Sequence, residues 1–264
     1  MIPRRTLAAL LLLPLAACST PNPSPAPASS PGAPFDPVKT MAAAASGIEA
    51  GVYGYYVDAP SGSTSHVRIH APSRSADFQM TVKDDGDTFP VQIRVADASN
   101  FIKIRLNKAL LRGQTGEAKA MFGGEHWYQI GVEDAGRSDY IVYHENSDPL
   151  GMKRFLTGVT EATGDGTKIK GKIDGSKLGF EDPLLGRNTF RSMLNGYAMP
   201  FTATLDDQGR ILKLLVDIPQ SLDHEAGRWV FTFDEYGTVP PQTAPPAPEV
   251  WKASPTFKNI LLKL

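Results

Sequence analysis

The residues able to do chemistry are few and scattered: five histidines and one cysteine in a chain of 264 residues. A nucleophile elbow G-x-S-x-G, a phosphate loop, an H-E-x-x-H helix and a G-x-G-x-x-G turn after a strand are all missing. His66 and His70 share one face of a strand with Arg68 between them, and a guanidinium in that position describes a solvated face rather than a metal site. His126, His144 and His224 each stand beside a glutamate, Glu125, Glu145 and Glu225, but neighbours on a strand point to opposite faces. Asp84, Asp85 and Asp87 around Gly86 lack the downstream glutamate of a calcium loop and describe a hairpin turn. No enzymatic activity, metal or cofactor is therefore expected.

One cysteine excludes an intramolecular disulfide and a thiolate metal centre. Its position carries more information than its number. Arg4 and Arg5 precede an apolar stretch from Thr6 to Ala17, a positive n-region and an h-region too short for an ordinary membrane span, so residues 1–17 form an export signal. The stretch ends Leu15-Ala16-Ala17-Cys18, which resembles the bacterial lipobox L-[AS]-[AG]-C, where Cys18 would be acylated through its sulfur and become the first mature residue. The competing reading, a small-residue cleavage site beside a free thiol, leaves the coincidence of the only cysteine with the lipobox position unexplained. Residues 18–34 are then a lipidated cysteine and a tether, since the Ser, Ala, Thr and Pro that follow bury too little apolar surface to offset the entropy of ordering. With 27 basic and 28 acidic side chains there is no electrostatic reason to expect nucleic acid.

The remaining residues must fold by packing alone, and their periodicity says how. Val38, Met41, Ala42 and Ala45 have helical spacing, with Asp36 as N-cap and Pro37 at the first helical position. After Gly51 the period becomes two: strands are expected over 52–57, 65–71, 76–83, 88–96, 101–106 and 126–132. A helix over 147–158, capped by Ser147 or Asp148 near Pro149, precedes a hairpin of 159–163 and 168–173. A second helix is expected over 183–195, then strands over 198–205, 211–218 and 227–236. Phe89, Val91, Ile93 and Val95 share one face, as do Leu212, Leu214, Val216 and Ile218, and Trp229, Phe231 and Phe233. This is an α+β pattern, an antiparallel sheet with one apolar face and helices to cover it.

The order of these features resembles the LppX/LprG-type lipoproteins, which share the wider LolA/LolB-like lipoprotein-carrier fold. The similarity spans about residues 35–250. It lies in the hairpins from Val67 to Leu106, in Gly123-Gly124-Glu125-His126-Trp127-Tyr128, in Lys170-Gly171-Lys172-Ile173-Asp174-Gly175-Ser176, and in PFTATLDDQGRILKLLVDIP (200–219) with FTFDEYGTVPPQTAPP (231–246). It implies a strongly curved antiparallel sheet, a half-barrel, with helices packed on its concave face around an apolar cavity that holds acyl chains of lipids or lipoglycans. It further implies a monomer anchored to the outer face of the cell membrane, or to the outer envelope, that carries or presents such lipids, with a membrane transporter as a further partner. An envelope sensor or assembly module of the same fold, binding a protein, is the alternative.

On that resemblance the cavity candidates are Met80, Phe89, Val91, Ile93, Phe155, Leu185, Met199, Leu212, Leu214, Trp229 and Phe231. Met152 and Met193 add adaptable surface. Periodicity does not separate a cavity wall from ordinary core. Residues 251–264 extend past the pattern as an apolar tail. A packed strand, a membrane-surface segment, a plug for the cavity and disorder all stay open for it.

Overall fold

The computed structural model describes residues 34–84, 86–97, 99–109, 111–112, 116–131, 152–177, 198–219, 226–255 and 257–258. The expected export signal, Cys18, the expected tether up to residue 33 and the helix expected over 183–195 with Leu185 lie outside the described residues, as do Ser147, Asp148 and Pro149. From Phe35 onward the chain is one folded unit.

Asp36 accepts hydrogen bonds at its carboxylate from the N–H groups of Val38 (3.1 Å) and Lys39 (3.2 Å), opening α1 (Pro37–Ala44) with a proline at its start. A one-turn helix α2 (Ser46–Glu49) follows. Then six strands run as a meander: β1 (Val52–Asp58), β2 (Thr64–His70), β3 (Ser75–Asp84), β4 (Asp87–Ala96), β5 (Ser99–Ile104) and, after helix α3 (Gly116–Phe122), β6 (Trp127–Ile130). Helix α4 (Met152–Thr157) precedes a second meander of β7 (Val159–Gly164), β8 (Lys168–Asp174), β9 (Ala198–Leu205), β10 (Ile211–Ile218) and β11 (Gly227–Asp234). A last short strand, β12 (Val250–Lys252), ends the sheet.

All twelve strands form one open sheet in the order β12-β6-β5-β4-β3-β2-β1-β11-β10-β9-β8-β7. Every pairing is antiparallel except that of β12 with β6. The two meanders meet where β11 lies against β1, Tyr55 opposite Phe233 and Val57 opposite Phe231. From β11 the chain runs to the far side of the first meander through a segment with five prolines, Pro240, Pro241, Pro245, Pro246 and Pro248. Proline carries no N–H to satisfy, so such a segment can cross strands without joining their ladders. The Gln242 N–H donates to the Ser75 hydroxyl at 2.8 Å, and Ala244 and Val250 pack on Ala96, Phe101 and Trp127. The tail is thus a packed strand at its start, and Phe257 beyond it is fully buried. The boundary drawn after residue 250 falls inside β12.

Three features depart from the sequence expectations. Helix α3 falls where the pattern gave only a glycine-rich stretch. The last strand of the first meander begins at Trp127 instead of His126. The third concerns β10. Its register against β9 shifts between Ile211 and Lys213, so a bulge inserts one residue and reverses the side-chain phase before Leu214. Ile211 turns inward and Leu212 outward, 40% exposed, which corrects the alternation read as Leu212-Leu214-Val216-Ile218.

The turn from β9 into β10 is held by Asp206. Its carboxylate accepts from the Gln208 and Arg210 N–H groups at 2.9 and 2.8 Å and from Arg210 Nε at 2.7 Å. Gly209 takes the left-handed conformation, φ 76°, that closes the turn. Arg210 in turn lies 4.7 Å over the Tyr236 ring, whose hydroxyl donates to the Ile211 carbonyl. Burial alone would raise the Asp206 pKa, but the bonds from Arg210 and Gln208 outweigh it and hold the group below its ordinary value. Its contribution to stability is therefore complete above the unfolded aspartate value of about 3.9 and is lost as pH falls through the lower folded value. Asp206→Ala is expected to cost about 1–3 kcal/mol at neutral pH and to flatten the acid limb of a pH–stability profile, measured by urea unfolding.

Candidate functional site

The register assigns the faces. Cross-strand partners share a face, so Tyr53, Tyr55 and Val57 of β1 fall with Phe231 and Phe233 of β11, Leu214 and Val216 of β10, and Met199, Phe201 and Ala203 of β9. Met41, Ala44 and Ile48 from α1 and α2, and Met152, Phe155 and Leu156 from α4, pack on these strands in one buried cluster. Tyr55 and Phe233 sit 5.6 Å apart, centroid to centroid, within it. On the same face of the first meander a second cluster joins Val91, Ile93, Ile102, Ile104, Tyr128 and Ile130 with Met121 and Phe122 of α3 and with Phe257. Phe78 packs against both clusters and connects them.

The predicted cavity residues divide accordingly. Phe155, Met199, Leu214 and Phe231 are fully buried in the first cluster, with Trp229 half-buried at its border. Val91 and Ile93 are buried in the second, with Met80 and Phe89 half-buried against it. Leu212 is excluded by the bulge. The structure therefore joins five of the candidates in the first cluster and four around the β3–β4 hairpin, and it adds residues that sequence reasoning missed. Phe78, Val82, Leu106 and Leu111 are half-buried beside Met80 and Phe89. The alternation of Phe78, Met80 and Val82 opposite Phe89, Val91 and Ile93 was the available signal for the first two of these.

The apolar face is thus covered unevenly. In the first cluster nearly every large side chain is buried; over the β3–β4 hairpin six large apolar groups keep part of their surface. Both clusters consist of aliphatic and aromatic side chains. Asn100, 4% exposed and aligned with Val95 and Ile130, puts an amide on this face, and its Oδ1 accepts no hydrogen bond. Such a surface can hold hydrocarbon. A cleft of about 400 Å³ opens elsewhere, at the ends of β9 to β11 between Pro200, Asp217, Pro219 and Arg228, and takes in none of the predicted residues.

The opposite face is more polar, apart from the patch of Ala96, Phe101 and Trp127 under Ala244 and Val250. Asp77, buried to 3% exposure, accepts from Arg94 Nε at 3.1 Å and from Gln79 Nε2 at 2.8 Å, and Arg94 and Lys103 both lie over the Trp127 ring. Among the described residues no helix is long and apolar enough to cross a membrane. The chain matches no protein-family model and no curated protein.

Proposed function

We propose that this is an exported lipoprotein, anchored through acylated Cys18, whose open sheet curves into a half-barrel with its helices on the concave side and binds the acyl chains of a lipid or lipoglycan against its apolar face, to carry or present them. The observation that supports this most directly is the incomplete cover of that face: Phe78, Met80, Val82, Phe89, Leu106 and Leu111 stand half-buried beside a continuous apolar core. A ligand chain laid over them removes apolar surface from water at about 25 cal/mol per Å², and no polar recognition is required for that gain. Acylation at Cys18 would hold the chain at a membrane, where such lipids are found.

The test is native purification of the full chain, organic extraction and mass spectrometry. Co-purifying diacyl or triacyl lipid is expected. Met80→Glu with Phe89→Glu, which place charge on half-buried positions, should remove most of that lipid while leaving the circular dichroism spectrum unchanged, and Leu212→Glu on the outer surface should retain it. Reproducible absence of lipid from the unmodified protein, or equal lipid in both variants, overturns the reading.

A further inference from the structure

On the outer face of the sheet, where the two meanders join, β1 runs between β2 and β11 and carries Gly54 opposite both Arg68 and Asp234. With no side chain at Gly54, groups from the flanking strands reach toward each other above it. A Cβ there would lie 2.6 Å from Asp234 Oδ1 and 2.9 Å from Glu235 Oε2, so both carboxylates occupy the space that any other residue would fill. Glu235 immediately follows Asp234, and its left-handed φ of 50° brings a residue that would otherwise face the other side of the strand back over the same spot. From β2, His66 completes the group: its ligand atom and those of Asp234 and Glu235 all lie within 4.8 Å of one another.

We propose that His66, Asp234 and Glu235 bind a divalent transition cation of the zinc type. One imidazole nitrogen and two carboxylates are a donor set that zinc accepts, with water completing its coordination. Among the described residues, His66 Nε2 and Asp234 Oδ1 are closed off from solvent and have no hydrogen-bond partner, although each is a strong polar atom. Tyr56 stacks on the imidazole at 4.0 Å and 6° and fixes the ring plane. Arg68 donates from Nε to Glu235 Oε2 at 2.8 Å and from Nη2 to Oε1 at 2.5 Å, which orients that carboxylate and neutralises one of the two negative charges. Each carboxylate oxygen keeps a second lone pair for a metal. Bonds of about 2.0–2.2 Å place ligand atoms about 3.0–3.5 Å apart, so a cation draws the three groups inward. The guanidinium competes for the same carboxylate, so affinity is set by His66 and Asp234 more than by Glu235. The site is separate from the apolar face and does not depend on lipid binding.

The probe is zinc chloride, titrated by calorimetry into the full chain without a histidine tag. One saturable site per chain is expected, weakened at least tenfold by His66→Ala and by Asp234→Asn, with folding of each variant checked by circular dichroism. If a variant fails to fold, the unmodified protein still decides. In its nitrogen-15 NMR spectrum zinc should shift the His66 imidazole and leave His70 and His126 in place; His70 is engaged by the Ser73 hydroxyl at 2.6 Å. Absence of saturable binding, binding that survives both substitutions, or a zinc-induced shift at His70 or His126 instead of His66 overturns the proposal.

Discussion

Phe155→Ala is expected to remove about 3–5 kcal/mol of folding stability, the range for deleting a fully buried phenylalanine. Phe155 is 0% exposed and lies with Met152 and Leu156 on the inward side of α4, a helix of six residues. A helix that short does not persist on its own, because its nucleation cost is spread over too few hydrogen bonds. It is held by packing against α1, α2 and the strands of the first cluster. Removing the ring leaves a cavity that close-packed neighbours fill only in part. In a fold of this size each kcal/mol lowers Tm by about 2–4 °C, so thermal unfolding should show a fall of about 6–20 °C. Leu212→Ala on the outward side of the bulge should stay within about 0.5 kcal/mol of the parent. A loss at Phe155 below about 1 kcal/mol would show that α4 is not part of the core.

Cys18→Ser is expected to abolish incorporation of labelled palmitate completely. No other thiol exists in the chain to accept a thioether-linked diacylglycerol. The consequence for anchoring follows from size: each buried methylene contributes about 0.8 kcal/mol, and one chain holds only marginally where two or three hold stably. Retention of the apolar leader from Thr6 to Ala17 could itself keep the variant in the membrane fraction, so the readout is label and mass, with the uncleaved leader adding to the latter. Palmitate label at the parental level would remove the lipoprotein reading and leave the fold untouched.

How much the sequence disclosed depended on how local each signal was. The cap at Asp36, the hairpin strands and the Asp206 to Gly209 turn rest on contacts within a few residues, and periodicity placed them. The bulge at Leu212 was invisible because an inserted residue changes the phase of a strand without changing its composition. Helix α3 was hidden by glycine at its start. Strand β12 is three residues long, below the length at which alternation has meaning. The half-buried rim at Phe78, Val82, Leu106 and Leu111 depends on what covers a face, which no pattern along one strand reports. The His66 group is less legible still: Arg68 and Glu235 stand 167 residues apart, and alternation aligns His66 with His70 on its own strand while its partners come from β11 across a glycine. Simple alternation along β11 puts Glu235 on the face of Phe231 and Phe233, and its left-handed backbone turns it back to the other.

The first meander, β1 to β6, is held at both of its borders by the closing part of the chain, β11 on β1 and β12 on β6. An open sheet of twelve strands has two borders at which a strand from another copy could add, and such growth leads toward aggregates. Among the described residues one border is a three-residue strand, and the other, β7, carries a register shift against β8 between Val159 and Glu161, which bends and twists the strand locally. The C-terminal clasp therefore shortens one border among the described residues: the four-residue β6 is covered by the three-residue β12, which leaves a strand from another copy fewer backbone groups to pair with on that side.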